Sequence, residues 1–518
     1  MVPVIIEALL AVALVGGFAV LLAPNRLAGK LAFGISLGPL LGSLWMFWQF
    51  DGDGNLMFDS AARSFESSLS GTTVLSMGPW DIQWLAAVDG ISLPLVVLST
   101  ILTTLAIVSA WTPIDERQSQ FYALVLFMEA ALIGVFTQLD FFVWFVFWEG
   151  VLVPMVLLIG VWGGPRRKYA AIKFLVYTNV ASAVLFVGFL GLLAGLEGSI
   201  TSFALPEISQ AIHADQLQSV GPFSAEELAT ISFFAMFAGF AVKVPIVPVH
   251  TWLPDAHVEA PTPVSVLLAG VLLKMGTYAL LRFNFTMLPE VAAANAELIA
   301  VIAVISILYG AMLALAQRDL KRIVAYSSVS SMGYVILGLV AYTIYGVGGA
   351  TFQMLSHGLI SGLLFMTVGV IYNTTHTRMV GDMSGLADRM PIASWVFVAG
   401  AFGYMGLPLM SGFAAELFVF IGAFGAAGLD YSPVFTAAAM FGIVVVAGYL
   451  LAAMQKSLFG PFELATDYEI GRAPFHDVAP LFVLLGLIVV LGVAPDVVFN
   501  MVEDATQPII EAANGGGA

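Results

Sequence analysis

Apolar residues recur along the chain in runs of about 20, the length that crosses a bilayer as an α-helix. Polar segments separate these runs and carry most of the charged side chains. We predict fourteen membrane spans, with the approximate limits 3–23, 29–50, 86–111, 121–138, 139–162, 170–196, 228–247, 262–283, 297–317, 320–343, 347–372, 392–427, 433–458 and 479–499. The pattern therefore predicts an all-α, polytopic membrane protein. The first run is expected to be a retained span, because it lacks a basic start and a cleavage pattern.

The composition is typical of a membrane protein and excludes several kinds of functional site. Of the 518 residues, 60% are hydrophobic and only 10% are charged, which departs strongly from soluble domains. The chain contains no cysteine, so disulfides, thiolate metal ligands and cysteine nucleophiles are excluded. It also has no glycine-rich dinucleotide fingerprint and no P-loop. We therefore predict that this chain holds no redox cofactor and no metal.

If successive spans cross the membrane in opposite directions, most of the basic residues fall on the same side of it. With the N-terminus outside, fourteen of the 18 Lys and Arg residues fall in inner segments, and only Arg63 and Arg282 fall in outer ones. The inner group comprises Arg26, Lys30, Arg117, Arg166, Arg167, Lys168, Lys173, Arg318, Lys321, Arg322, Arg378, Arg389, Lys456 and Arg472. Because inner loops of membrane proteins are enriched in Lys and Arg, both termini are predicted to face outward.

Two spans are interrupted by proline at similar places. In the seventh span, Lys243 is followed by Pro245 and Pro248, and in the twelfth span Pro408 precedes Glu416. Proline removes a backbone donor and opens the helix, and open backbone at membrane depth needs protein or water around it. The broken spans lie five spans apart, which predicts two inverted five-helix repeats, spans 4–8 and spans 9–13. Kinks that serve only packing are the alternative.

The repeats suggest a division of the chain into four parts. Residues 1–120 hold the N-terminal helices, with an outer loop at 51–85 that is expected to contain a short hairpin or amphipathic segment. The remaining parts are the first repeat at 121–283, the second repeat at 297–460, and a final helix with an outer tail at 461–518.

Two lysines and two glutamates lie deep inside apolar runs and stand out there, namely Lys243, Lys274, Glu149 and Glu416. Charged groups in hydrocarbon are costly, and those that occur usually pair with one another, face water-filled cavities or mark ion and proton pathways. The sequence therefore predicts a protein that moves charge. The structural alternatives are a static ion pair for Glu149 and Lys243, a lysine that reaches an interface for Lys274, and a capping carboxylate for Glu416.

Long segments around these residues resemble the antiporter-like subunits of respiratory complex I and the related Mrp-type Na⁺/H⁺ antiporter subunits. The segments are FAVKVPIVPVHTWLPDAHVEAPTPVSVLLAGVLLKMGTYALLRF, FWEGVLVPMVLLIGVWGGPRRKYAAIKF, RDLKRIVAYSSVSSMGYVILG, FQMLSHGLISGLLF and TRMVGDMSGLADRMP. Two features resemble the M type (chain 4) within this family: Glu416 in the twelfth span, and DAHVEAPT after the seventh. The resemblance extends from the third span to the thirteenth.

The resemblance implies that the buried side chains carry protons. Glu149 and Lys243 would form a pair on the input side. Lys274 would be the central proton carrier, and Glu416 would be the exit-side group. His357, within the eleventh span, would pass protons between Lys274 and Glu416, because imidazole is the natural relay near neutral pH. A histidine that only packs is the alternative at this position.

Four further residues are weaker candidates. His250 and His257 flank the WLPDA segment, where they act either as relays or as parts of a structural turn. Glu129 in the fourth span would couple to a neighbouring subunit. Ser331 stands where M-type chains often have histidine, and a hydroxyl can order water but cannot store a proton. Either Ser331 holds water, or the central path depends more strongly on His357.

The resemblance implies a proton-translocating membrane-arm subunit of a complex I-type NADH:quinone oxidoreductase, driven by electron transfer in other subunits. Flavin, iron–sulfur clusters and quinone would belong to partner subunits. The partners would be other membrane-arm chains, especially those of the L and N types, in the cell membrane of a prokaryote. Two alternatives stay open at this point: a subunit of a stand-alone Mrp-type Na⁺/H⁺ antiporter, and a scaffold subunit that pumps nothing.

Overall fold

The chain folds into a bundle of membrane-spanning helices with small extramembrane elements. The computed structural model describes residues 4–52, 54–58, 64–468 and 470–513. Within them, thirteen helices are long and apolar enough to cross a membrane. Two shorter apolar helices, Pro391–Tyr404 and Ser411–Phe424, follow one another and form the broken span expected at 392–427. The fourteen predicted spans are therefore confirmed. Arg63, one of the two expected outer cations, lies outside the described residues.

The elements of the N-terminal part and of the first five-span unit follow the predicted order. They are α1 (Ile5–Leu22), α2 (Asn25–Trp48), β1 (Thr72–Met77), β2 (Trp80–Trp84), α3 (Ser92–Ser109), α4 (Gln118–Thr137), α5 (Phe141–Gly150), α6 (Leu152–Trp162), α7 (Arg167–Gly195), α8 (Leu205–His213), α9 (Ala225–Lys243), α10 (Trp252–Glu259), α11 (Thr262–Leu267) and α12 (Leu273–Ala279). Helices α5 and α6 together make one span, and the antiparallel pair β1–β2 is the hairpin expected in the first outer loop.

The second five-span unit and the C-terminal elements complete the chain. They are α13 (Pro289–Ala294), α14 (Ala296–Leu315), α15 (Leu320–Val340), α16 (Ile344–Thr375), β3 (Met383–Ser384), α17 (Leu386–Arg389), α18 (Pro391–Tyr404), α19 (Ser411–Phe424), α20 (Ser432–Ser457), β4 (Glu463–Leu464), α21 (Phe475–Val493) and α22 (Asp496–Ala513). A short 3₁₀ turn at Val380–Asp382 precedes β3, which pairs with β4.

The eighth span departs from regular α-helical geometry at two places. Segments Leu268–Leu272 and Leu280–Thr286 are π-helical, and they flank α12, which carries Lys274. A π-helical turn inserts an extra residue and shifts backbone carbonyls out of the regular i to i+4 pattern, and such turns concentrate at functional sites. The sequence did not predict them. Proline marks the interruptions in the seventh and twelfth spans, whereas neither of these π-helical segments contains one.

Three spans form the centre of the bundle. In the most apolar 18-residue stretches of Thr262–Thr286 and Ile344–Thr375, all residues are buried, and in that of Leu320–Val340 94% of the residues are buried. In the corresponding stretches of α2 and α21 only 28% of the residues are buried, so these helices lie at the periphery. The central spans also carry the candidate residues Lys274, Ser331 and His357. Apolar side chains on peripheral helices are exposed, as expected for surfaces that face lipid or neighbouring subunits.

Polar caps stabilise the helix starts where the chain turns back. Asp140 accepts hydrogen bonds from two backbone N–H groups in the first turn of α5, and Asp319 does the same at α15. At α9, Ser224 and Glu227 form a reciprocal capping box. The first N–H groups of a helix have no partner within the helix, so such caps are typically worth about 1 kcal/mol each.

A buried ion pair ties the end of the eighth span to the rest of the bundle. Arg282 Nη2 lies 2.6 Å from both carboxylate oxygens of Asp89, and Arg282 Nη1 donates to Asn55 Oδ1 at 3.1 Å. Asn55 Nδ2 in turn donates to the carbonyl of Ala505 in α22 at 2.7 Å. Arg282, predicted on the outer side at the end of the eighth span, is only 1% exposed and lies within the bundle.

Lys321, which was predicted to lie in an inner loop, is also buried in the structure. Its Nζ donates to the carbonyl of Ala260 at 2.5 Å. This contact joins the start of α15 to the turn between α10 and α11. Nearby, Arg378 Nε donates to Asp319 at 2.5 Å and its Nη1 donates to the carbonyl of Val258 at 3.0 Å. The two five-span units are therefore joined at this end by charged hydrogen bonds.

We expect Arg282→Met to destabilise the chain by about 3–5 kcal/mol, because it leaves the Asp89 carboxylate buried without its cation. The measurement is the amount of this chain in the assembled membrane complex, resolved on native gels. The double variant Asp89→Asn/Arg282→Met removes both charges and keeps a capping side chain at position 89. It should recover much of the lost assembly, and a double variant no better than Arg282→Met would contradict the importance of the pair.

Candidate functional site

The first broken helix presents Lys243 to the interior of the bundle. Helix α9 ends at Lys243, and regular α-helix does not resume until Trp252. Pro245 and Pro248 lie between them, and neither can donate a backbone hydrogen bond. The indole nitrogen of Trp252 donates to the carbonyl of Val242 at 2.8 Å and so satisfies a carbonyl at the opened helix end. The break is thus held by a side chain from the helix that follows it.

Lys243 contacts Trp148 and not Glu149. Its Nζ donates to the Trp148 carbonyl at 3.1 Å and lies 3.6 Å from the centroid of the Trp148 ring, a close cation–π contact. Glu149 is the next residue in α5 and interacts electrostatically with Lys243, but the described residues show no direct ion pair between them. Glu149 Oε1 is buried without a hydrogen-bond partner. The expected pair is therefore present as neighbours that are not in contact.

Lys274 lies at the centre of the bundle and contacts a histidine directly. Its side chain is fully buried, with Nζ 2.5 Å from the carbonyl of Ala269 and 2.5 Å from Nδ1 of His357. Ala269 lies in the first π-helical segment, which supplies the carbonyl. His357 comes from α16, the longest central helix. The two repeats therefore meet at this contact, since Lys274 belongs to the first and His357 to the second.

The imidazole of His357 has one occupied and one free nitrogen. Nδ1 contacts Lys274, whereas Nε2 is buried and has no hydrogen-bond partner in the described structure. When Lys274 carries its proton, Nδ1 is the acceptor and the imidazole hydrogen lies on Nε2. The ring edge approaches Tyr404, with 5.7 Å between the ring centroids. The geometry suits a residue that accepts a proton on one side and releases one on the other.

The other two candidate histidines occupy different settings. His257 is fully buried and stacks on Phe365 with 4.5 Å between ring centroids, and neither ring nitrogen has a hydrogen-bond partner among the described residues. It interacts electrostatically with Lys274 and Lys321. His250 lies in the first break near the ring of Tyr309, at 5.9 Å between centroids. His257 therefore lies beside the central lysine, whereas His250 lies with Lys243 in the first break.

The second broken helix holds Glu416. Helix α18 ends at Tyr404 and α19 begins at Ser411, whose hydroxyl accepts a hydrogen bond from Ser356 of α16 at 2.9 Å. Between them, Gly406 has a positive φ of 63°, a conformation that favours glycine. The Glu416 carboxyl group contacts Gly406, and its Oε2 is buried without a hydrogen-bond partner. The break therefore makes room for the carboxyl group.

The remaining sequence candidates are also buried. Glu129 lies in α4, fully buried, and both of its carboxyl oxygens lack a hydrogen-bond partner within the described structure. Ser331 lies in the central helix α15 and is 5% exposed. In the part of the chain that the structure describes, no group of three or more His, Asp or Glu side chains is placed to hold a metal ion.

The sequence analysis did not single out three residues near the buried ionisable side chains, namely Trp148, Tyr404 and Tyr449. Trp148 makes the contact with Lys243 that was expected of Glu149. In the sequence, only its position next to Glu149 could have suggested this role. The ring of Tyr404 approaches that of His357, and Tyr449 interacts electrostatically with Glu416. Both tyrosine hydroxyls are buried and lack a hydrogen-bond partner of good geometry. In an apolar sequence such tyrosines are indistinguishable from packing residues.

The chain matches a known family of membrane subunits over most of its length. Residues 138–445, more than half of the chain, match the family described as NADH:quinone oxidoreductase/Mrp antiporter, TM. The chain therefore belongs to this family, as its motifs predicted.

Named relatives narrow the assignment within the family. The chain is 39% identical over 462 residues to NAD(P)H-quinone oxidoreductase chain 4 1 of Synechococcus elongatus, covering 88% of this chain and 84% of that protein. It is 37% identical over 499 residues to F(420)H(2) dehydrogenase subunit M of Methanosarcina mazei, covering 95% of each. These relatives bear the names chain 4 and subunit M, the subgroup that Glu416 and DAHVEAPT indicated.

Solved structures share the fold. A chain of respiratory complex I from Thermus thermophilus with bound NADH superposes with a TM-score of 0.81. The two chains are 26% identical, and the match covers 98% of this chain and 100% of that one. The bundle with two broken helices is therefore the fold of a membrane subunit in a multi-subunit complex.

We expect Gly406→Ala to slow proton transfer through Glu416 several-fold. A β-carbon at this position would lie 3.6 Å from Cδ of Glu416 and closer still to Oε2, and alanine disfavours the positive φ. The measurement is the initial rate of redox-driven proton uptake by membrane vesicles that contain the assembled complex. Gly428→Ala is the control, since a β-carbon there meets nothing within 4 Å. Equal rates for the two variants would contradict the prediction.

Proposed function

We propose that this chain is a proton-translocating membrane-arm subunit of a complex I-type NADH:quinone oxidoreductase, and that it acts as a non-redox part of that translocase. The observation that carries the proposal is the buried contact between Lys274 and His357, which joins the two repeats in the fully buried centre of the bundle. A lysine there has no structural task that an apolar side chain would not perform at lower cost. Membership of the family supports the same function.

The path begins on the side predicted to face inward. Glu149 and Lys243 would take up the proton at the first broken helix, with His250 beside them. In the structure the Lys243 ammonium contacts Trp148, so the pair is in its separated arrangement. A carboxylate that approaches Lys243 stabilises the charged form of the lysine, and its withdrawal favours release of the proton. Movement of Glu149 toward and away from Lys243 would thus act as a switch.

The path continues through the centre toward the second broken helix. Lys274 would receive the proton and pass it to Nδ1 of His357, whose Nε2 would release the other imidazole hydrogen. Glu416 would accept it and release it outward. His257 lies next to Lys274 and would adjust its charge, while Ser331 would hold water in α15. We propose a lesser role for Glu129, whose carboxyl group would respond to charge in a neighbouring subunit.

Electrons would travel through other subunits. We propose that flavin, iron–sulfur clusters and quinone are bound by partner chains, and that the immediate membrane partners are L- and N-type antiporter-like chains. The chain would lie in the cell membrane of a prokaryote with both termini outward, as the distribution of its basic residues favours. The names of the two relatives refer to different electron donors, NAD(P)H and F420H₂, so the donor is a property of the partner subunits.

A stand-alone Na⁺/H⁺ antiporter subunit is the second candidate, because the family description also covers Mrp antiporters. The two functions differ in what co-purifies with the chain and in which ion moves. Purification of the assembly followed by flavin and iron analysis should find both cofactors in the complex. Proton transport should also persist when sodium is replaced by potassium. An assembly without redox cofactors, or transport that requires Na⁺, would favour the antiporter.

We expect Lys274→Ala to abolish redox-driven proton pumping by this subunit in a fully assembled complex. The variant removes the only cation in contact with His357 among the described residues, and alanine cannot hold a proton. Proton uptake per electron, measured in sealed vesicles, should fall, or the coupled electron transfer itself should stop.

The matched control is Lys456→Ala, which removes an exposed lysine from the last turn of α20. It should leave proton uptake per electron unchanged. If Lys274→Ala assembles and pumps as well as this control, the chain is a scaffold and the proposed function is wrong.

A further inference from the structure

Two tyrosine hydroxyls occupy the region between His357 and Glu416. Tyr404 is the last residue of α18, directly before the second break, and Tyr449 lies in α20. The side chains are 5% and 2% exposed, respectively, and neither hydroxyl has a hydrogen-bond partner of good geometry among the described residues. Buried polar groups are almost always hydrogen-bonded, so two hydroxyls whose only neighbouring partners are poorly aligned serines call for an explanation.

Tyr404 connects to the central histidine. Its ring meets the ring of His357 edge to face, at 5.7 Å between centroids and an angle of 70°. Its hydroxyl lies beside the hydroxyls of Ser327, Ser328 and Ser361. Ser327 and Ser328 already donate to the carbonyl of Val324, so these serines are left with acceptor lone pairs that face the tyrosine.

Tyr449 connects to the exit-side carboxyl group. Its hydroxyl also lies near Ser327, and it interacts electrostatically with both Tyr404 and Glu416. The Oε2 atom of Glu416 is itself buried and without a partner. Nε2 of His357, the hydroxyls of Tyr404 and Tyr449, and Oε2 of Glu416 are therefore four buried polar atoms without a hydrogen bond of good geometry, and they belong to side chains that interact pairwise in this order.

Other buried tyrosines in the bundle show what a structural hydroxyl looks like here. The hydroxyl of Tyr334 donates to the carbonyl of Ala439 at 3.0 Å, and that of Tyr342 donates to the carbonyl of Phe285 at 3.0 Å. Each therefore fixes one helix against another segment. Tyr404 and Tyr449 make no such bond, so a packing role explains their rings but not their hydroxyls.

We propose that Tyr404 and Tyr449 relay the proton from His357 to Glu416, an inference that rests on the proposed function and adds residues to its path. The hydroxyl oxygen of Tyr404 accepts the proton released by Nε2 of His357, while its own hydrogen passes on to Tyr449. Tyr449 repeats the exchange and delivers a proton to Oε2 of Glu416. Each O–H bond that breaks is replaced by a new one, so both tyrosines end neutral.

Ordered water can complete any gap between the hydroxyls, because a water-mediated hydrogen bond is nearly as favourable as a direct one. The tyrosines are relay residues and not proton stores, so the groups that hold the proton between transfers remain Lys274 and Glu416.

The test compares Tyr404→Phe, Tyr449→Phe and the double variant in the assembled complex, with Tyr342→Phe as the matched control. At positions 404 and 449, phenylalanine keeps the ring and removes only a hydroxyl that makes no well-aligned hydrogen bond, so assembly should be normal. The double variant is expected to lower the initial rate of redox-driven proton uptake about 10-fold or more, since a positioned proton-transfer group contributes factors of that size. Each single variant should have a smaller effect, because water can replace one hydroxyl.

A second measurement is independent of any loss of packing. Replacing the residue at position 449 with a fluorinated tyrosine makes the hydroxyl more acidic and leaves its shape almost unchanged. The pH profile of proton uptake should shift in this variant, and it should not shift when the same analogue is placed at position 342. An unchanged profile at position 449 would overturn the relay.

Lys274→Ala separates the two hypotheses. If Lys274→Ala stops pumping while the double tyrosine variant pumps at the rate of Tyr342→Phe, the relay is wrong and the proposed function stands. If neither Lys274→Ala nor the double variant changes proton uptake, the proposed function and the relay both fail. Loss of uptake in the Lys274 variant and in the double tyrosine variant, with normal uptake in the control, supports both.

Discussion

The structure depends on holding a lysine side chain in the fully buried centre of the bundle. Lys274 lies in a span whose most apolar window is wholly buried, and no acid pairs with it in the described structure. Its solvation comes from one carbonyl and one imidazole, those of Ala269 and His357. The π-helical turn at Leu268–Leu272 contains Ala269, and the close passage of α16 supplies His357.

The same requirement explains the architecture around the centre. Each broken helix provides irregular backbone where a charge must be accommodated, at Lys243 in one repeat and at Glu416 in the other. Irregular backbone is tolerated at membrane depth only where protein or water surrounds it, so both breaks lie inside the bundle. The ion pair of Arg282 and Asp89 then anchors the end of the span that carries Lys274. The charged side chains at both breaks and at the centre are therefore all buried within the bundle.

Much of this arrangement could be predicted from the sequence, for clear physical reasons. Runs of apolar residues fix the number of spans, because every backbone group in lipid must be satisfied within a helix. Proline marks both broken helices, because it cannot donate a hydrogen bond. Charges inside apolar runs stand out because they are so costly, and thus Lys243, Lys274 and Glu416 were found before any geometry was known.

The errors and omissions have physical causes as well. The ion pair of Arg282 was not predicted, because a periodic pattern does not show that Asp89, far away in the sequence, neutralises it. The contact of Lys243 with Trp148 depends on backbone geometry, which carries no sequence signal. Tyr404 and Tyr449 are the clearest case, since a tyrosine in a span is usually amphipathic packing. Only their unpartnered hydroxyls, seen in three dimensions, set them apart.

The most direct measurement is an experimental structure of the assembled complex at a resolution that shows ordered water. The account predicts Lys274 Nζ in contact with His357, and water or hydroxyl contacts that continue without interruption from there to Glu416. It also predicts water between the inner surface and Glu149. If instead Lys274 turns toward lipid, or closely packed apolar side chains fill the region between His357 and Glu416, no proton could cross by this path and the account would be contradicted.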